Sequence, residues 1–172
     1  MAQPRRTAPL LLLYGSDTLL IALMLFLPFI DRRWQFPKCK SYSTQRTFWG
    51  ILAAVLMLLF VINPGEFVFI LYTLLLVALP EEWFFRAYFM QRVASVSGNQ
   101  WLANILTSAL FAVLHMPTQG WFGLSVFVPS LMLGWIYQQR KDIVLVILLH
   151  ALANIVYLMY LREALTNLAK FL

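Results

Sequence analysis

Long apolar runs alternate along the chain with short polar connections. Six runs stand out, near residues 10–30, 47–63, 66–90, 101–115, 121–138 and 143–161. The connections carry the charged and turn-forming residues: "DRRWQFPKCKSYSTQR", "NPGE", "QRVASVSGNQ", "MPTQG" and "QQRKD". Because a helix needs about 20 apolar residues to cross a bilayer, the pattern predicts about six transmembrane helices, some of them short.

Composition narrows the fold class further. Hydrophobic residues make up 62% of the chain and charged residues 12%, with a mean hydropathy of +0.77. These values exclude an ordinary soluble domain. The runs are continuous and do not alternate between apolar and polar positions, which argues against a membrane barrel. We therefore expect an all-α, polytopic transmembrane helix bundle that forms a single domain over residues 1–172.

The net charge of +6 does not indicate a nucleic-acid partner, because the basic residues lie mostly in the connections between apolar runs. Such residues set the orientation of helices in a membrane, so the expected partner is membrane lipid. The single cysteine permits no internal disulfide and argues against a cysteine-based metal site. The first run has no small-residue cleavage site after it, so we expect it to be retained as a first span.

Three charged residues interrupt the third run, "LYTLLLVALPEEWFFRAYFM". A charge at the centre of a bilayer costs about 2.5–3.5 kcal/mol on insertion scales, so these side chains need a partner or a function. Residues four apart share a helix face, which predicts an ion pair between Glu82 and Arg86. Glu81 is turned by about 100° from Glu82 and has no local partner. The pair is equally compatible with a purely structural role, whereas Glu81 favours a functional one.

Both histidines of the chain also lie in apolar runs: His115 closes "ILTSALFAVLH", and His150 precedes Asn154 by one helical turn. Taken singly, each histidine could equally form an ordinary contact between helices. Together with the carboxylates they predict a polar cavity inside the bundle. Glu81 is suited to take a proton from water as a general base. His150 and Asn154 are suited to donate hydrogen bonds to an oxyanion on a substrate carbonyl.

Three segments, "EEWFFR", "FAVLH" and "HALAN", resemble in this order the EExxxR, FxxxH and HxxxN motifs of the CPBP family. This family comprises the CAAX-prenyl-protease-like and bacteriocin-processing membrane proteins, also called Abi proteins. The resemblance covers roughly residues 66–160. Each motif alone is a weak signal, but the three together in a polytopic chain are a strong one.

The resemblance implies a glutamate-dependent intramembrane endopeptidase that needs no metal or other cofactor. Glu81 would activate water with assistance from His115. His150 and Asn154 would form the oxyanion site. The catalytic cavity would lie among the third, fourth and sixth helices.

Two further motif residues, Glu82 and Arg86, would hold the motif helix in place. The chain departs from the family pattern at Ala87, where glycine often follows the arginine. We expect this difference to affect packing only.

The same resemblance implies three substrate classes: prenylated CAAX-type proteins, bacteriocin-like leader peptides, and bacterial C-terminal sorting signals of the myxosortase kind. The expected partner is thus a peptide or protein with a C-terminal processing signal. The small size of the chain favours a multi-pass protein of a bacterial plasma membrane. The sequence does not identify the substrate or the oligomeric state.

Three other functions are compatible with the same residues. Glu81, His115 and His150 meet the ligand count of a catalytic zinc site, although no HExxH pair is present. The polar cluster could instead shape the cavity of a non-catalytic peptide-binding or immunity protein. Acid and histidine chains also serve in proton or ion transporters, although the chain shows no repeated halves.

Helix rise gives one constraint on this picture. Counting about 1.5 Å per residue from Gly65 and from Trp101 puts Glu81 and His115 roughly 15 Å apart in depth within a core about 30 Å thick. Boundary errors of about 2–4 residues per helix would recover part of this gap. A break at Pro80, or a fourth helix that begins in the cytoplasm, could recover the remainder.

Overall fold

The computed structural model describes residues 10–35, 43–62 and 64–161. Within these ranges every regular element is helical and no strand is present, which confirms the all-α prediction. Six helices follow one another in the described part of the chain. They are α1 (Leu10–Ile30), α2 (Ser43–Ile62), α3 (Pro64–Ser97), α4 (Gln100–Gln119), α5 (Phe127–Arg140) and α6 (Ile143–Val156).

Two helical stretches, Pro64–Ser97 and Gln100–Arg140, are long and apolar enough to cross a membrane. The second stretch contains α4 and α5, which turn back on each other at Gly120, where φ is +60° and ψ is −148°. The side chain of Gln138 near the end of α5 donates to the carbonyl of Gln100 at the start of α4. The two helices are therefore antiparallel neighbours.

Three shorter apolar helical segments accompany these stretches. They are Thr18–Ile30 within α1, Trp49–Val61 within α2, and Ile143–Met159, which comprises α6 and the three residues after it. Large apolar side chains cover much of the outer surface; Phe26, Val68 and Trp121 are 65%, 76% and 81% exposed. Such a surface is costly in water and suited to lipid. That all six helices cross the bilayer stays a prediction.

The helix that carries the two glutamates, α3, is the longest single helix described. It continues through Pro80 without a break, because its turns widen to π-helical geometry over Thr73–Ala78 and again over Trp83–Met90. Such wide turns absorb irregularities in a helical ladder and are frequent at functional sites. The helix ends only at Gly98, whose φ of +67° suits a glycine C-cap.

Close packing joins α4 to α5. Asn104 is fully buried, and its side-chain amide donates to the carbonyl of Leu131 at 3.0 Å. Gly134 lies against the Asn104 side chain so closely that a Cβ atom there would collide with Oδ1. A small residue at position 134 therefore lets the two helices approach each other.

Tryptophan N–H groups attach the first two helices to the rest of the bundle. Trp83 on α3 donates to the carbonyl of Leu25 on α1 at 3.2 Å, and Trp34, just after α1, donates to Ala87 on α3 at 2.8 Å. Trp49 on α2 donates to Asp142 Oδ2 at 2.7 Å. These contacts hold α1 and α2 around α3 and α6, which carry the first and the last of the three motifs.

Candidate active site

The predicted ion pair between Glu82 and Arg86 is present. Arg86 Nε lies 3.0 Å from Glu82 Oε2, one helical turn away, and both side chains are fully buried. A buried pair of this kind needs further hydrogen bonds to offset the loss of water. The bundle supplies them on both sides of the pair.

On the Glu82 side, the second carboxylate oxygen accepts from an imidazole. His150 Nδ1 on α6 lies 2.8 Å from Glu82 Oε1 on α3. A histidine whose Nδ1–H is donated to a carboxylate has a fixed orientation, and its Nε2 is left for other chemistry. Here Nε2 lies 3.6 Å from Glu81 Oε2. His150 therefore stands between the two glutamates.

On the Arg86 side, the acceptors come from α5. Arg86 Nη2 donates to the Ser130 hydroxyl at 2.6 Å and to the Ser130 carbonyl at 2.9 Å. Sequence reasoning missed Ser130, because its only signal was a hydroxyl residue inside an apolar run. It also missed that α5 takes part in the site.

Glu81 differs from Glu82 in the hydrogen bonding of its carboxylate. Its side chain is 20% exposed, and among the described residues Oε2 has no hydrogen-bond partner although the atom is buried. A buried polar atom without a partner is rare in folded proteins and often marks a site of chemistry or an ordered water.

His115 lies on α4, held by its own helix. Its Nδ1 lies 2.8 Å from the carbonyl of Phe111, and the two rings are 4.4 Å apart between centroids. Phe111 is buried and also contacts the His150 ring at 6.0 Å and the Arg86 guanidinium at 5.9 Å. Its ring thus packs against all three cationic or imidazole groups of the site.

A cavity of about 380 Å³ lies among α3, α4, α5 and α6. All four predicted catalytic residues line it, and most of the remaining lining is apolar. The lining residues are Val77, Glu81, Phe111, His115, Gln119, Phe122, Ser125, Val126, Pro129, Ser130, Leu133, His150, Ala153, Asn154, Tyr157 and Leu158.

The expected separation in depth between Glu81 and His115 is wrong. The sequence reading ended the third helix at Met90, whereas the helix runs on to Ser97 and turns at once into α4. Glu81 lies 16 residues before Ser97, and His115 lies 15 residues after Gln100. The α3 segment from Glu81 to the turn and the α4 segment from the turn to His115 are therefore nearly equal in length. Because the two helices form a hairpin, both residues reach one cavity without any break at Pro80.

The zinc alternative stays a prediction. Among the described residues, no three His, Cys, Asp or Glu side chains are grouped to hold one metal ion.

A model of a known protein family matches more than half of the chain. The model of the family described as type II CAAX prenyl endopeptidase, Rce1-like, matches residues 62–156. This range contains all six predicted site residues and ends two residues after Asn154. No curated protein and no solved structure matches the chain.

Proposed function

Since the chain belongs to the Rce1-like family of type II CAAX prenyl endopeptidases, we propose that it is a glutamate-dependent intramembrane endopeptidase. Members of this family are membrane-embedded proteases. The finer assignment concerns which residue activates water and what kind of substrate is cut.

The contrast between the two adjacent glutamates carries the proposal. Both oxygens of Glu82 accept hydrogen bonds, one from Arg86 and one from His150. Glu81 Oε2 has no hydrogen-bond partner among the described residues, and Glu81 lines the cavity. A general base must have a free lone pair within reach of the water it activates. Of the two carboxylates, Glu81 alone meets that requirement.

In the proposed reaction, Glu81 takes a proton from water as the water oxygen attacks the scissile carbonyl carbon. The negative charge that forms on the carbonyl oxygen is stabilised by the Asn154 amide and by Nε2 of His150. With Nδ1 held by Glu82, the His150 ring can donate from Nε2 when it is protonated. Glu81 then passes its proton to the leaving amine nitrogen as the C–N bond breaks. His115, which lines the same cavity from α4, assists in orienting the water.

The proposed substrate is a membrane-delivered peptide near the C-terminus of a lipidated or sorting-signal-bearing protein. A cavity of about 380 Å³ lies within the range of small-ligand sites, which is about 300–1,000 Å³. Its mixture of apolar walls and a few polar groups suits a short extended segment. CAAX-type and C-terminal sorting substrates would both present such a segment.

We place the protein in a bacterial plasma membrane, with all six helices as spans. The apolar surface and the two long apolar stretches support a membrane location. The reaction uses no metal in this proposal, because side-chain and water chemistry supply every proton transfer that it needs.

The test compares protein termini in membranes of cells that carry the unsubstituted gene or Glu81→Gln at equal protein level. The matched control is Glu66→Gln, since Glu66 is exposed and lies on the same helix outside the cavity. We expect one protein to accumulate in an uncut, longer form only with Glu81→Gln. The contrary outcome is that no terminus changes and that cells with Glu81→Gln keep the phenotype of cells with the unsubstituted gene. In that case the protease assignment is wrong and a peptide-binding role replaces it.

A further inference from the structure

One residue outside the three motifs contacts the motif charges directly. Ser130 lies on α5, is 2% exposed, and accepts two hydrogen bonds from the same nitrogen of Arg86, at 2.6 and 2.9 Å. It is separated from Arg86 by 44 residues in the chain. The contact is therefore tertiary and joins α5 to α3.

The two Ser130 contacts determine how the guanidinium is oriented. Arginine presents five N–H groups in one plane. Glu82 accepts from Nε on one edge, and Ser130 accepts both hydrogens of Nη2. Among the described residues Nη1 has no hydrogen-bond partner. Phe111 touches the guanidinium only through its ring, at 5.9 Å. Ser130 thus fixes a second nitrogen of the guanidinium, Nη2, beside the Nε that Glu82 holds.

The orientation of Arg86 passes to the histidine through one carboxylate. Arg86 holds Oε2 of Glu82 at 3.0 Å, which turns Oε1 toward His150 Nδ1 at 2.8 Å. All four side chains that these hydrogen bonds connect are nearly inaccessible to solvent, so water cannot easily replace a lost partner. The His150 Nε2 atom then points toward Glu81 at 3.6 Å.

We propose that Ser130 is a positioning residue for the reaction. It fixes Arg86, and the Arg86–Glu82 pair in turn sets the orientation of the His150 ring toward Glu81 and the cavity. This inference rests on the proposed function, in which His150 acts on the substrate. It makes α5 a part of the active site although α5 carries none of the three motifs.

The chain allows a test that does not depend on activity, because it contains only two histidines. Protein with a non-histidine affinity tag and ¹⁵N-labelled histidine, in lipid nanodiscs, gives imidazole signals from His115 and His150 alone. A His115→Gln sample assigns them. In Ser130→Ala we expect the His150 Nδ1–H signal to move or to exchange faster with water, while His115 is unchanged. An unchanged His150 signal would overturn the proposal.

Two further variants separate positioning from packing. Ser130→Thr keeps the hydroxyl and should restore the His150 signal. Ser95→Ala removes another serine hydroxyl that contacts an arginine, Arg92, but at the exposed end of α3, and should leave the signal unchanged. A general disturbance of the bundle would instead move both histidine signals in Ser130→Ala and would not be reversed by Ser130→Thr, which would count against the proposal.

Kinetics completes the test. The substrate is a synthetic peptide that spans the cleavage site of the protein that accumulates uncut with Glu81→Gln. We expect Ser130→Ala to lower kcat about 10-fold or more with little change in KM, since misplacing a reacting group is costly once substrate is bound. An altered His150 signal with unchanged kcat would refute the positioning role. If the peptide is not cut even by the unsubstituted protein, the proposed function fails, whereas the His150 signal still decides what Ser130 does.

Discussion

His150 Nδ1 lies 2.8 Å from Glu82 Oε1, so a single buried hydrogen bond joins the first motif of the chain to the last. The two residues are 68 positions apart. Through this bond the glutamate that is paired with Arg86 also orients the histidine. The adjacent Glu81, which has an oxygen without a hydrogen-bond partner, is left for a reaction with water.

Removal of the Glu82 charge should destabilise the protein far more than removal of the Glu81 charge. Glu82→Gln leaves Arg86 buried without its counter-charge, and breaking such a pair costs about 3–5 kcal/mol. We expect a large fall in the thermal unfolding midpoint in detergent, and a smaller one for Glu81→Gln. Equal losses in the two variants would show that Glu81 is part of the structural network.

The double variant Glu82→Gln/Arg86→Gln extends this prediction. Because it removes both charges, its loss of stability should be smaller than the sum of the losses in the two single variants. A strictly additive result would mean that the 3.0 Å ion pair contributes no coupling free energy.

Gly134→Ala should loosen the contact between α4 and α5. The new methyl group would collide with Asn104 Oδ1, and overpacking of this kind costs about 1–3 kcal/mol. Gly50→Ala on α2 is the matched control, since a Cβ there meets nothing within 4 Å. We expect it to be neutral or stabilising by up to about 1 kcal/mol. Comparable unfolding midpoints for the two variants would disprove the close approach at Gly134.

Trp49→Phe should weaken the attachment of α2 to α6. The indole N–H donates to Asp142 Oδ2 at 2.7 Å, and Asp142 also caps α6 by accepting from Leu145 N at 3.1 Å. A hydrogen bond to a charged group contributes about 1.5–3 kcal/mol. Trp121→Phe changes a side chain that is 81% exposed and should have little effect on the unfolding midpoint. If both variants unfold at the same temperature, the Trp49 contact carries no stability.

Metal removal should leave cleavage unchanged. The proposed reaction uses only side chains and water, so dialysis against a strong chelator should not alter the rate on the identified substrate. Elemental analysis of the purified protein should find no stoichiometric zinc. One zinc per chain that is lost in His150→Ala would reinstate the metalloprotease mechanism.

Local spacing was enough to predict part of this site from the sequence. The four-residue interval fixes Glu82 and Arg86 on one helix face, and the structure contains that pair. The contacts of His150 with Glu82 and of Ser130 with Arg86 were out of reach, because they depend on how three helices pack. No periodicity within one run reports such an arrangement.

The error in helix length had a larger effect than any missed contact. Residues 91–97 are polar enough to read as a loop, yet they extend α3 by two turns to the glycine cap at Gly98. The apparent mismatch in depth between Glu81 and His115 came from counting α4 from a membrane face at Trp101, without the two further turns of α3 that precede it. The wide turns around Pro80 were also hidden, since proline alone predicts a kink or a break.

Because α3 and α4 form a hairpin, the number of residues between Glu81 and the turn determines how Glu81 is placed relative to His115. A single residue inserted between Glu81 and Ser97 would rotate the glutamate by about 100° and shift it by about 1.5 Å relative to His115. The same residue inserted at the Gly98–Asn99 turn would leave both helices in phase. Insertions and deletions along this hairpin should therefore be tolerated at its tip and lethal to activity along its sides, whatever the chemical nature of the added residue.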